Sequence, residues 1–141
     1  MIAYLDTSAA IPLLIDEPGS VAAGRLWDDA DRVVSVRLLQ VEARAALAQA
    51  HRLGRLDGRG LRAAARALDL LVAEIDHVEI DERLVQSAGE LAELHALRGY
   101  DAVHLAAALS VGDAELVVVT GDRELARAAS AAGLSVASTA P

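Results

Sequence analysis

The sequence predicts an α/β fold in which a central, mostly parallel sheet is covered by helices on both faces. Three observations predict it. The candidate strands, such as residues 2–5 and 116–119, are short and almost wholly apolar, the pattern of strands buried on both sides. They alternate along the chain with helical patterns, which is how parallel strands are connected. Finally, 54% of the 141 residues are apolar but only 2% are aromatic, with no Phe. The core must therefore be Ala, Leu and Val, and short Ala side chains let helices pack closely.

The elements follow in order. Residues 2–5 form a strand, and a helix enters at Thr7 or Ser8, bent or shortened by Pro12, which lacks the N–H a helix needs. Pro18-Gly19-Ser20 breaks the chain before a second helix reaching Asp28. Residues 32–36 form a strand whose Ser35 leads into a long amphipathic helix ending near Gly54. A helix over residues 60–73 precedes a weakly alternating strand at 75–80, and Asp81 then caps a helix ending near Gly99. Residues 100–109 are helical, 116–119 are the clearest buried strand, and 122–132 form a last helix that Gly133 ends before a strand at 134–136.

Residues 1–141 are the length of one domain with an ordinary core. The absence of Cys excludes disulfides, thiolate metal sites and thiol nucleophiles. The N-terminal segment has no basic region ahead of its apolar run, and no stretch approaches the roughly 20 apolar residues of a membrane span. A cytoplasmic protein with no membrane partner is the expectation. The net charge of −8 runs against the basic footprint of most nucleic-acid binders. All 13 basic residues are Arg, however, the better bidentate phosphate ligand. Arg52, Arg55, Arg59, Arg62 and Arg66 lie within one short region.

Ligands of parallel α/β sheets bind beyond the carboxyl ends of the strands, which selects the acids to consider. Asp6 directly follows the first strand, and Asp122 follows the clearest one after two intervening residues. Each also precedes a helix, so an N-cap explains either locally. Glu42 lies three or four residues from Leu38, Leu39, Ala45 and Ala46, on a helix face that reads as buried. A carboxylate there needs a metal or an ion pair with a distant Arg. Asp101 opens a helix, where an acid suits the helix dipole. His104, one turn on, reads as a packed or hydrogen-bonded residue rather than a ligand. Four carboxylates suit a hard cation such as Mg²⁺ or Mn²⁺. Such a cation activates water for attack on a phosphodiester and neutralises the phosphate oxygens. Acids crowded together resist ionising simultaneously, so at least one should titrate high.

Tyr4-Leu5-Asp6-Thr7-Ser8-Ala9 resembles the opening of PIN-domain proteins. The Glu42 helix, Arg98-Gly99-Tyr100-Asp101-Ala102-Val103-His104 and Val118-Val119-Thr120-Gly121-Asp122 follow in that family's order and approximate spacing. The resemblance covers essentially the whole chain and is to the VapC type, the toxin half of type II toxin–antitoxin pairs. It implies a three-layer α/β/α sandwich and Mg²⁺- or Mn²⁺-dependent cleavage of RNA. It also implies that Asp6 and Asp101 are the principal metal ligands, that Glu42 completes the first site or orients its water, and that Asp122 is the fourth acid. Ser8 and Thr120 would support the acids by hydrogen bonding. A homodimer and a small antitoxin protein occupying the acidic groove are the implied partners. The same acids also admit a structure-specific DNA nuclease, a catalytically idle binding module, or a phosphotransfer domain using Asp6. The first needs more basic surface, the second a missing acid, and the third a second acid beside Asp6; the sequence has none of these.

Overall fold

The computed structural model describes residues 1–141. The elements are β1 (Ile2–Leu5), α1 (Thr7–Leu14), α2 (Ser20–Asp29), β2 (Arg32–Val36), α3 (Leu38–Arg52) and α4 (Gly58–Glu74). They continue as β3 (Asp76–Val78), α5 (Glu82–His95), α6 (Gly99–Val111), β4 (Leu116–Thr120), α7 (Arg123–Ala131) and β5 (Ser135–Ser138). All five strands are parallel, in the order β3-β2-β1-β4-β5. The strand order therefore reverses between β1 and β4, and the crevice of a doubly wound sheet opens beyond their carboxyl ends.

Strand alternation sorts the core into two halves. Tyr4 pairs in register with Val34 and Val118, and these three share one face with Leu84, Leu105 and Leu125 of α5, α6 and α7. Ala3, Leu5 and Val119 face the other way, onto Ala9, Leu39, Leu47 and Leu68 of α1, α3 and α4. The result is the expected three-layer α/β/α sandwich. Alanine makes it close-packed: Ala102, Ala106, Ala107 and Ala108 of α6 are all buried, letting that helix sit directly on the sheet.

The strands at both edges of the sheet differ in their limits from expectation, and hydrogen bonding accounts for where β5 starts and for the shortening of β3. Gly133 takes a left-handed φ of 90°, and the Gly133 and Leu134 N–H groups donate back to Ser130 and Ala129. Those two bonds end α7 as a Schellman motif, so Leu134 has no N–H left for the ladder and β5 starts one residue later. At the other edge, the Ile75 N–H donates to Leu71 and completes α4, while Glu79 leaves the sheet to pair with Arg37. β3 is therefore three residues long. Pro12 lies inside α1, which stops at Leu14 after eight residues. No helix is long and apolar enough to cross a membrane.

Candidate active site

The crevice is built outward from the end of β1. Asp6 leaves the strand in extended geometry (φ −85°, ψ 170°) and caps α1 by accepting the Ala9 N–H. The capping interpretation of Asp6 is correct, yet incomplete, because the carboxylate does more than cap. Ser8 Oγ donates to Oδ1 at 2.8 Å and accepts the Gly121 N–H at 2.8 Å. Ser8 thereby ties β1's acid to the loop after β4. Thr120 Oγ1, 3.3 Å from Ser8 Oγ, accepts the Asp122 N–H at 2.9 Å. Gly121 suits this crossing: a Cβ there would stand 3.0 Å from Thr139 Oγ1 and 3.5 Å from Ser8 Oγ.

Asp122 also caps its helix, with Oδ1 accepting the Leu125 N–H at 2.9 Å. Its other oxygen accepts from Arg98 Nη2 at 3.2 Å, and Arg98 Nε donates to Asp101 Oδ2 at 3.0 Å. Asp6, Asp122 and Asp101 thus lie on one continuous hydrogen-bonded chain running through Ser8, Thr120 and Arg98. The Arg98–Asp101 spacing of three residues is legible in the sequence, but its role in joining two acids is not, because Asp122 lies 24 residues away.

Glu42 belongs to a second branch. It flanks the buried stripe of α3, formed by Leu39, Ala43, Leu47 and Ala50, while Ala45 is exposed. Its partner is no distant Arg. Thr7 Oγ1 donates to Glu42 Oε1 at 2.9 Å, and His104 Nε2 lies 2.6 Å from the same oxygen. A carboxylate only accepts, so Nε2 carries a proton. His104 Nδ1 sits 3.0 Å from the hydroxyl of Tyr4, and both side chains are fully enclosed. His104 is therefore the hydrogen-bonded residue expected, though what it binds is one of the candidate acids, Glu42. Tyr4, Thr7 and Arg98 escaped notice as site residues. Strand alternation carried the signal for Tyr4, which must face the α6 side of the sheet.

Electrostatics separate the acids. Burial pushes the Asp6 carboxyl up to about 6 from its ordinary 3.8, opposed by His104 and by hydrogen bonds from Ser8, Thr120 and Ala9. Burial also raises Asp101, with Asp122 adding to the rise and Arg98 opposing it. Desolvation, more than the expected crowding of acids, raises both groups, and a like charge contributes only at Asp101. Buried carboxylates and hydroxyl oxygens are the donor set of a hard divalent cation, and the desolvation that raises both acids is what such a cation would relieve. No three of the chain's His, Asp and Glu side chains stand ready to ligate one ion in this arrangement. In the Arg cluster around the α3–α4 connection, Arg55 pairs with Glu17, and Arg52, Arg59, Arg62 and Arg66 are exposed.

Ser8→Ala tests the link between the two loops. It leaves the Gly121 N–H unpaired and removes a donor from Asp6, so a stability loss of about 1–3 kcal/mol is expected. The Asp6 titration should move further up, read by carboxyl NMR. An unmoved Asp6 would show that Ser8 does not support that carboxylate.

A PIN-domain family model matches residues 3–131. Ribonuclease VapC49 of Mycobacterium tuberculosis is 48% identical over 136 residues, covering 96% of this chain and 94% of that protein. Among solved structures, PAE2754 from Pyrobaculum aerophilum superposes with a TM-score of 0.69 at 28% identity, covering 91% of this chain and 87% of that one. The DNA-bound VapBC of Salmonella typhimurium has the same fold, with a TM-score of 0.69 at 17% identity over 99% of this chain and 98% of that one. The β3-β2-β1-β4-β5 sheet, the acids at its reversal point and a family match over most of the sequence agree that this chain belongs to the PIN-domain family.

Proposed function

We propose that residues 1–141 act as a single nuclease domain, a metal-dependent endoribonuclease of the VapC kind and the toxin of a toxin–antitoxin pair. The observation that carries this reading is the linked trio Asp6, Asp101 and Asp122 at the sheet's reversal point, the first two buried, in a chain 48% identical to a named ribonuclease. Asp6 and Asp101 would hold Mg²⁺ or Mn²⁺, Glu42 would complete that site or orient the attacking water, and Asp122 would be the fourth acid. Ser8 and Thr120 hold Asp6 and the β4 loop in register. A divalent cation bound there neutralises the phosphate oxygens and makes water a better nucleophile at neutral pH. The protein would work in the cytoplasm as a homodimer, restrained by a small antitoxin protein covering the acidic groove.

The test is cleavage of end-labelled RNA and of DNA of the same sequence by the purified chain, with Mg²⁺ or Mn²⁺ and then with excess chelator. RNA should be cut only with metal, DNA should stay intact, and chelation should return cleavage to background. Undiminished cleavage in chelator, or cleavage of DNA alone, would overturn the reading.

A further inference from the structure

Asp101 is 7% exposed at its side chain and has one hydrogen-bond partner, Arg98, whose own side chain is 61% exposed. Arg98 also reaches Asp122 and lies over the Tyr100 ring, its Cζ 4.9 Å from the centroid. Its side chain makes no bond that caps α6, so nothing in the helix requires it to stay. Of the two carboxylates it pairs with, Asp101 is one to which the proposed function assigns the divalent cation, and Asp122 is the fourth acid beside it. A guanidinium and a doubly charged ion on the same carboxylate oppose one another, because like charges this close repel strongly in a half-buried site.

We propose that Arg98 is an internal counter-ion that the metal displaces, and that the freed guanidinium then grips a phosphate of the RNA beside the acids. In the ion-free protein it offsets the charge of Asp101 and Asp122. Once released it remains tethered at the rim, against Tyr100, which is 45% exposed. A planar fork of N–H donors beside the metal site matches a phosphate's oxygens. This also answers how a chain of net charge −8 holds RNA, with a cation delivered at the site by the displacement itself. The inference rests on the nuclease reading above.

The test uses Arg98→Ala and Arg98→Lys in the full chain, with melting curves confirming the fold. Mn²⁺ affinity is read without RNA by calorimetry or electron paramagnetic resonance. Removing a competitor that makes one part-buried and one exposed ion pair should tighten Mn²⁺ binding in Arg98→Ala by about threefold to tenfold. At saturating Mn²⁺, KM for an RNA oligonucleotide should rise about tenfold, the loss of one charge-assisted phosphate contact. Arg98→Lys should keep near-wild-type Mn²⁺ affinity and still lose RNA affinity, because a lysine offers charge without the fork. Unchanged or weaker Mn²⁺ binding in Arg98→Ala overturns the counter-ion role, and an unchanged KM overturns the phosphate role. A wild-type chain that neither binds Mn²⁺ nor cuts RNA overturns the nuclease reading instead.

Discussion

Asp6→Asn should abolish RNA cleavage while making the metal-free protein more stable. The activity loss is expected to be about a hundredfold or more, since a ligand that holds the cation contributes several kcal/mol of charge stabilisation. The stability gain follows from burial. Asp6 titrates at about 6 in the fold against 3.8 for the free group, so the folded state holds its proton more tightly than the unfolded one. For an acid whose folded value is raised, the penalty is absent below about pH 4, grows as pH rises through the window from 4 to 6, and is complete above 6. A difference of about two pH units corresponds to about 3 kcal/mol. Asn has nearly the same shape, caps helices as well as Asp does and carries no charge to desolvate. At pH 7.5 without metal the variant should therefore melt higher, and its stability should lack the wild type's fall between pH 4 and 6. Added Mg²⁺ should raise the wild-type melting temperature and leave Asp6→Asn unmoved. A variant that cleaves like wild type, or that is less stable than wild type at pH 7.5, would remove Asp6 from the proposed site.

Most of the fold was legible because its signals are local. Residues 2–5, 32–36 and 116–119 are short, mainly apolar runs between helical patterns, and that suffices for a parallel sheet with two covered faces. The strand limits that moved were set by backbone hydrogen bonds, at Gly133-Leu134 and Ile75, which composition does not encode. The local role of two acids was legible too: Asp6 and Asp122 both cap the helices that follow them. What holds those acids was not legible. Ser8 meets Gly121 across 113 residues, and Glu42 meets His104 across 62. Helix periodicity found Glu42 unusual because it lies beside a buried stripe. It could not choose between Arg, metal and His as partner, since that choice depends on how α3 and α6 dock around β1.

His104 is the part of this hidden layer with the largest expected effect. It joins Tyr4, with no exposed surface, to Glu42, whose side chain is 22% exposed, so it can fix the carboxylate's direction from inside the core. His104→Ala should cost about 3 kcal/mol in stability, from the cavity and the stranded Tyr4 hydroxyl. That loss alone would not distinguish a packing residue from one that orients Glu42, but two amides do. Gln places its terminal nitrogen near the position of Nε2 and so keeps a donor for Glu42. Asn reaches only as far as Nδ1 and so keeps a partner for Tyr4. Each leaves one contact unmade, and each should lose about 1–3 kcal/mol. Their activities should differ, because only Gln restrains the acid: His104→Asn should lower kcat by about tenfold to a hundredfold, the usual effect of removing a ligand's support. His104→Gln should stay within about tenfold of wild type, and RNA KM should hold in both, since neither touches the substrate. If Asn and Gln are equally active at matched stability, His104 is a core residue and Glu42 is oriented by Thr7 alone.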